Sequence, residues 1–231
     1  MNEIKETNKR ARQKVFSSKY INRPVEFLIK HNFTPNLLSY IGFIFSLVAS
    51  LLIAVCGLYF SLWFSWIIPF FMGIAGAMDL FDGEVARRTN KESQAGAFLD
   101  SNLDRLSDAI FILGLILGGL LNSILGYFIL FFVIMISYLR SRAEVEGVDM
   151  KGIGFMERAE RILFLLFLII IELILYFSTL LIFDMPLTIL VPIITRIPVT
   201  PVFLIGILIF ICTLIYTIIQ RLIHTFRSLK D

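Results

Sequence analysis

The chain has 231 residues, 58% of them apolar, and a formal charge of only +3. That balance excludes an ordinary soluble domain and lacks the strongly basic surface of a nucleic-acid binder. Its two cysteines, Cys56 and Cys212, lie in separate apolar runs, which excludes a disulfide scaffold and a thiolate metal site.

Residues 1–20 carry Lys5, Lys9, Arg10, Arg12, Lys14 and Lys19, a pattern that suits either attachment to anionic lipid head groups or a solvated tail. No short apolar core precedes residue 33, so no cleavable signal peptide is expected. Ile21, Val25, Leu28 and Ile29 recur at near-helical spacing with Arg23, Glu26 and Lys30 between them, which predicts an interfacial amphipathic helix. Residues 1–33 thus read as a basic arm and interfacial helix, and 34–231 as one membrane domain. Thr34-Pro35-Asn36 opens the first apolar run with a capping threonine and a proline suited to a first helical turn.

Apolar runs of roughly 18 residues or more read as membrane spans. Six are predicted, at about 35–57, 62–87, 97–121, 123–143, 157–183 and 201–223. The fold class is therefore all-α, a polytopic membrane protein with six transmembrane helices and an N-terminal interfacial amphipathic helix. An even count puts both termini on one side. Twenty of the 21 Lys and Arg residues fall on that side, and only Arg196 lies opposite. By the charge rule, the termini and the polar stretch between the second and third spans face the cytoplasm.

That stretch, DLFDGEVARRTNKESQAGAFLDSNLD, holds Asp79, Asp82, Asp100 and Asp104. A carboxylate at the bilayer centre costs about 2.5–3.5 kcal/mol on insertion scales, and four together repel unless a cation lies between them. Spacings of three and four pair Asp79 with Asp82 and Asp100 with Asp104 on helix faces, and an antiparallel hairpin of the two helices would join the pairs. All-oxygen ligation suits a hard divalent ion, Mg²⁺ or Mn²⁺, and two ions bridged by shared carboxylates form a clamp for displacement at phosphorus. Gly83 and Gly96 permit close approach of a ligand to the backbone, and Arg87 offers a planar fork to phosphate.

Asp79-x-x-Asp82-Gly83-x-x-Ala86-Arg87, eight residues, then Gly96-x-x-x-Asp100-x-x-x-Asp104 resembles the complete signature of the CDP-alcohol phosphotransferases. The resemblance implies transfer of a phospho-lipid group from a CDP-linked lipid to a small alcohol with release of CMP. It also implies that Asp79, Asp82, Asp100 and Asp104 hold the metal, and that Asp104 is the general base. Gly83, Ala86, Arg87 and Gly96, with Thr34 and Asn36, would contact the CDP group, and the enzyme would be a homodimer.

Further along, Asp108 sits one turn past Asp104, suited to supporting a ligand or pairing with Arg105, and Glu84 and Arg88 form an ordinary i, i+4 surface pair. Gly114, Gly118 and Gly119 permit close helix packing. Arg140, Arg158 and Arg221 stand at three helix ends; they either snorkel to the interface or converge on an anionic substrate. The blocks SYLRSRAE, ERAER and QRL resemble the inositol-phosphate-using branch, the phosphatidylinositol-phosphate and archaetidylinositol-phosphate synthases. That resemblance assigns the three arginines to the acceptor's phosphate. Glycerol 3-phosphate would be served equally by them. A cation channel or transporter would account for intramembrane acids, but not for Gly83, Ala86, Arg87 and Gly96 at their fixed gaps. Glu172, in the middle of the fifth span, reads as a hydrogen-bonded packing contact, and 184–200 as an outer loop or partly buried re-entrant stretch.

Overall fold

The computed structural model describes residues 21–230. Helix α1 covers residues 21–30, followed by α2 (Pro35–Cys56), α3 (Ile67–Thr89), α4 (Gln94–Leu117), α5 (Ser123–Val145), α6 (Arg158–Phe183) and α7 (Pro201–Ser228). A 3-10 turn, Phe64–Trp66, leads into α3, and one isolated antiparallel bridge joins Ile189 to Val199. The basic arm of residues 1–20 lies outside the described residues.

Local sequence sets the helix ends. Thr34 caps α2, its hydroxyl accepting from the Leu37 N–H at 3.3 Å, with Pro35 in the first turn. Ser93 caps α4 through the Gly96 N–H at 3.0 Å, and Asn122 caps α5 through Ile124. Helix α3 stops at Asn90 in the left-handed conformation, with Arg87 and Arg88 in its last turn complementing the helix dipole.

Among the described residues, five helical segments are long and apolar enough to cross a membrane: α2, α3 with its 3-10 lead-in, α5, α6 and α7. The chain is built as an integral membrane protein. The expected third span forms α4, whose first half carries Asp100, Asp104, Arg105 and Asp108. It ends earlier than the sequence suggested. Gly118 caps it, and Gly119 lies in the following turn at φ 80°, so these two glycines do not sit in the helix.

The six long helices close into a ring in the order α2, α3, α6, α7, α5, α4. Ile53, Ile68, Leu115, Ile129, Phe203 and Phe210 fill its interior. With lipid outside, packing rather than water exclusion must hold such a bundle together, and small residues bring backbones close. A Cβ at Gly114 would lie 2.4 Å from the Ser50 hydroxyl, which itself donates to the Ile110 carbonyl at 2.5 Å. Helices α2 and α4 therefore meet with only the small Ser50 side chain between them. Helices α3 and α4 are joined by the short stretch 90–93 as expected, but they do not pack side by side, and each lies against α2. On α1, Val25 and Leu28 bury against Leu38 and Val85.

At the end of the bundle away from the aspartates, fully buried Glu172 accepts hydrogen bonds from the Tyr59 hydroxyl, the Thr200 hydroxyl and the Thr200 N–H, the last at 2.9 Å. This ties α6 to the loop after α2 and to the start of α7. The 184–200 stretch folds back onto the α4–α5 turn, with Asn122 N–H on the Ile194 carbonyl at 2.7 Å and Arg196 N–H on the Gly119 carbonyl at 2.8 Å.

Candidate functional site

The last turns of α3 and the first turns of α4 bring Asp79, Asp82 and Asp100 together. One oxygen from each carboxylate falls within 4.8 Å of the others. Helix α2 packs against both of these helices. Asp82 is buried and accepts a hydrogen bond from Ser39 on α2 at 2.6 Å. Three converging carboxylates with one orienting hydroxyl are an oxygen-only donor set, which fits a hard divalent cation. Asp104 lies outside that trio and pairs with Arg158 at 2.6 Å, and the same guanidinium nitrogen bonds Asp79.

Two cavities flank the acids. The first, about 510 Å³, runs between α2, α3 and α4 and is lined by Asn36, Ser39, Asp82, Gly83, Ala86, Arg87, Lys91, Ser93, Gly96 and Asp100. A Cβ at Gly96 would press on the Ser93 hydroxyl at 3.0 Å and on the Asn36 side chain at 3.4 Å, so the bare backbone keeps this wall open. Arg87 is mostly exposed and rests on Glu84 at 2.7 Å. Glu84 therefore serves Arg87 as well as Arg88, rather than Arg88 alone. Thr34 does not line this cavity; its hydroxyl is engaged in capping α2.

The second cavity, about 520 Å³, is lined by five arginines, Arg105, Arg140, Arg158, Arg161 and Arg221, together with Asp100, Asp104, Asp108, Glu144 and Glu157. Asp100 belongs to both cavities, so the acid cluster stands where they meet. Arg221 is buried and held by the Ile153 carbonyl at 3.0 Å and the Ile136 carbonyl at 2.5 Å. Gly154, at φ 126°, makes room for it, since a Cβ there would come within 3.0 Å of the Arg221 Nε. Arg140 rests on Glu144 at 2.9 Å. Asp108 pairs with Arg161 at 2.7 Å, whereas Arg105 turns back to Ser101. The suggested Asp108–Arg105 pair is thus replaced by a bond across to α6.

The sequence profile of CDP-alcohol phosphatidyltransferases matches residues 32–217, a stretch that holds the first cavity, all of the second except Arg221, and nearly all of the helical ring. The chain belongs to this family. Among its relatives in the family, the archaetidylinositol phosphate synthase of Pyrococcus horikoshii is 40% identical over 130 residues, 56% of this chain and 65% of that protein. That of Methanothermobacter thermautotrophicus is 44% identical over 95 residues, 41% of this chain and 48% of the relative. The chain thus spans between about half and two thirds of the length of these two. The fold matches the crystal structure of Mycobacterium tuberculosis phosphatidylinositol phosphate synthase with CDP-DAG bound, with a TM-score of 0.61 at 23% identity over 90% of this chain and 94% of that one. The same mycobacterial protein has also been solved with manganese and citrate.

In this CDP-alcohol phosphatidyltransferase, all four signature aspartates lie within one polar cluster. Arg140, Arg158 and Arg221, from α5, α6 and α7, line one cavity. Sequence reasoning missed Ser39, Arg161 and Glu157. Ser39 was within reach, being three residues beyond Asn36 on the same helix face, and Arg161 stands likewise three beyond Arg158. Glu157 carried no local signal.

Proposed function

We propose that the protein transfers a phospho-lipid group from a CDP-linked lipid to inositol 1-phosphate, releasing CMP, in phospholipid synthesis. The observation that carries this reading is the pair of cavities meeting at Asp100, one beside the family's signature residues and the other walled by arginines. The CDP group occupies the first, against Asn36, Gly83, Ala86, Arg87 and Gly96, with Thr34 acting through the first turn of α2. The acceptor's phosphate occupies the second, on Arg140, Arg158 and Arg221, whose forks can bind it bidentately.

Asp79, Asp82 and Asp100, joined by Asp104 on its pair's side of the cluster, would hold Mg²⁺ or Mn²⁺, two ions in the full site, whose charge neutralises the pyrophosphate and the departing CMP. The chain's own residues do the rest. The arginines fix the acceptor by its phosphate so that one hydroxyl faces the cluster. Asp104 takes that hydroxyl's proton. The hydroxyl oxygen bonds to the lipid-linked phosphorus as the bond from that phosphorus to the CMP oxygen breaks. For Asp104 to act, Arg158 must release it, and the acceptor's phosphate supplies the alternative partner.

Helix α4 crosses the membrane as a sixth span, its acids turned to the bundle interior as intramembrane acids require. The termini and both cavities face the cytoplasm, where a soluble acceptor enters. Helix α1 lies at the interface on the same side, and the enzyme works as a homodimer among membrane lipids. The test is CMP release by purified protein in detergent with Mg²⁺, CDP-linked lipids with ester or ether tails, and a panel of acceptors. Release with inositol 1-phosphate and none with free inositol or serine is expected. Preference for glycerol 3-phosphate would overturn the acceptor assignment, and no release with any pair would overturn the reaction.

A further inference from the structure

Glu157 is the residue just before Arg158 and the N-cap of α6, yet its side chain makes no capping bond. It lines the arginine-walled cavity, and its Oε1 is sealed from solvent without a hydrogen-bond partner, the only carboxylate oxygen of which this holds among the described residues. The other acids of that wall are engaged. Asp104 pairs with Arg158, Glu144 with Arg140 and Asp108 with Arg161, while Asp100 belongs to the three-carboxylate cluster. None of the five guanidinium groups around the cavity pairs with Glu157, although Arg158 is its immediate neighbour and Arg221 faces the same space.

A buried acceptor without a donor is destabilising, and such groups in native proteins call for an explanation. The cations of the wall account for an anionic ligand, and Glu157 lies near Arg221, but its Oε1 is left without a hydrogen-bond donor. A phosphate cannot satisfy it. A hydroxyl can, because it donates. A ligand that carries a phosphate and several hydroxyl groups would meet both halves of the wall at once.

We propose that Glu157 is a specificity-determining residue that accepts hydrogen bonds from the non-reacting hydroxyls of the acceptor, selecting a phosphorylated polyol over a hydroxyl-poor phosphate. This rests on the acceptor-phosphate reading above and adds the group that recognises the rest of the molecule. A ring polyol such as inositol phosphate keeps several hydroxyls after one has reacted. Glycerol 3-phosphate keeps only one, so it leaves the Glu157 carboxylate poorly served and close to its own phosphate. The same side chain therefore attracts one class of acceptor and penalises the other.

The experiment compares Glu157→Gln and Glu157→Ala with the wild-type full chain in detergent. It measures CMP release while inositol 1-phosphate, glycerol 3-phosphate and the CDP-linked lipid are varied in turn, and melting temperature without acceptor. Loss of a hydrogen bond to a charged acceptor predicts a rise of about 10- to 150-fold in the inositol 1-phosphate KM of Glu157→Ala. Glu157→Gln, which keeps a carbonyl oxygen, should show a smaller rise. The donor KM should stay at the wild-type value. The melting temperature should stay level or rise, because the change removes a carboxylate oxygen that is sealed without a hydrogen-bond partner. A lowered melting temperature with equal changes in both KM values would mean a structural role and overturn the proposal. So would a wild-type KM for inositol 1-phosphate in both variants. Wild-type protein that releases no CMP with inositol 1-phosphate would instead defeat the acceptor reading itself, and this proposal with it.

Discussion

Replacing Arg158 by alanine should separate acceptor binding from donor binding. The guanidinium lines the arginine-walled cavity, lies 2.6 Å from Asp104 and bonds Asp79, with only 20% of its side chain exposed. It does not line the cavity between α2, α3 and α4. A charge-assisted hydrogen bond is worth about 1.5–3 kcal/mol, so losing one to the acceptor's phosphate predicts a rise of about 10- to 150-fold in acceptor KM. The deleted group does not line the donor cavity and reaches the three-carboxylate cluster only through Asp79, so with saturating Mg²⁺ the donor KM should rise far less than the acceptor KM. Arg158→Lys keeps the charge without the planar fork and should fall between. Removing the guanidinium also strands two carboxylates, and breaking a buried ion pair costs about 3–5 kcal/mol. The Arg158→Ala melting temperature should therefore drop in EDTA and recover largely with Mg²⁺. The assay is initial-rate CMP release with each substrate varied in turn, beside thermal denaturation with and without the metal. Parallel rises in both KM values, or an unchanged acceptor KM, would refute the division of labour between the cavities.

Asp104→Asn should bind the CDP-linked lipid as wild type does while kcat falls about 10²- to 10⁴-fold, the usual contribution of a general base; turnover near wild type would remove Asp104 from that role. Glu172→Leu leaves the Tyr59 hydroxyl and both Thr200 donors without an acceptor. At about 1–3 kcal/mol for each stranded buried group, it should lower the melting temperature while both KM values hold. Gly114→Val drives side-chain atoms into Ser50, where even a Cβ would sit 2.4 Å from the hydroxyl. Overpacking of this kind costs about 1–3 kcal/mol and should show as a lower melting temperature, not as altered substrate affinity.

The parts of the site that were legible in the sequence are those written in local spacing. Asp79 and Asp82, or Asp100 and Asp104, share helix faces by arithmetic alone, and Thr34-Pro35 marks a helix start through capping chemistry. Long apolar runs announce membrane helices for the same reason, since bilayer thickness sets their length. What was not legible depends on how distant segments meet. The acids of α3 and α4 do come together, but those helices do not pack side by side; both pack against α2, which Gly114 lets approach α4 closely. Asp108 had a cation beside it in sequence, Arg105, yet its partner is Arg161, 53 residues away on α6. Helix α4 was readable as a third apolar run, but it starts at Gln94 and ends at Leu117 rather than at about 97 and 121. Helix α4 ends at Gly118 through a local capping turn closed by left-handed Gly119, whose carbonyl then accepts from the 184–200 stretch. Glu157 is an ordinary acid in sequence, and only the cavity around it makes its idle oxygen meaningful.

The central claim is that a divalent ion at the aspartate cluster sits between a CDP site and an acceptor-phosphate site. Anomalous diffraction from crystals grown with Mn²⁺, a CDP-linked lipid and inositol 1-phosphate tests it most directly. The account predicts a manganese peak at coordination distance, about 2.1 Å as for a small hard cation, from Asp79, Asp82 and Asp100. It also predicts acceptor phosphate density on Arg140, Arg158 and Arg221. Manganese bound elsewhere, or acceptor phosphate seated in the cavity between α2, α3 and α4, would contradict it.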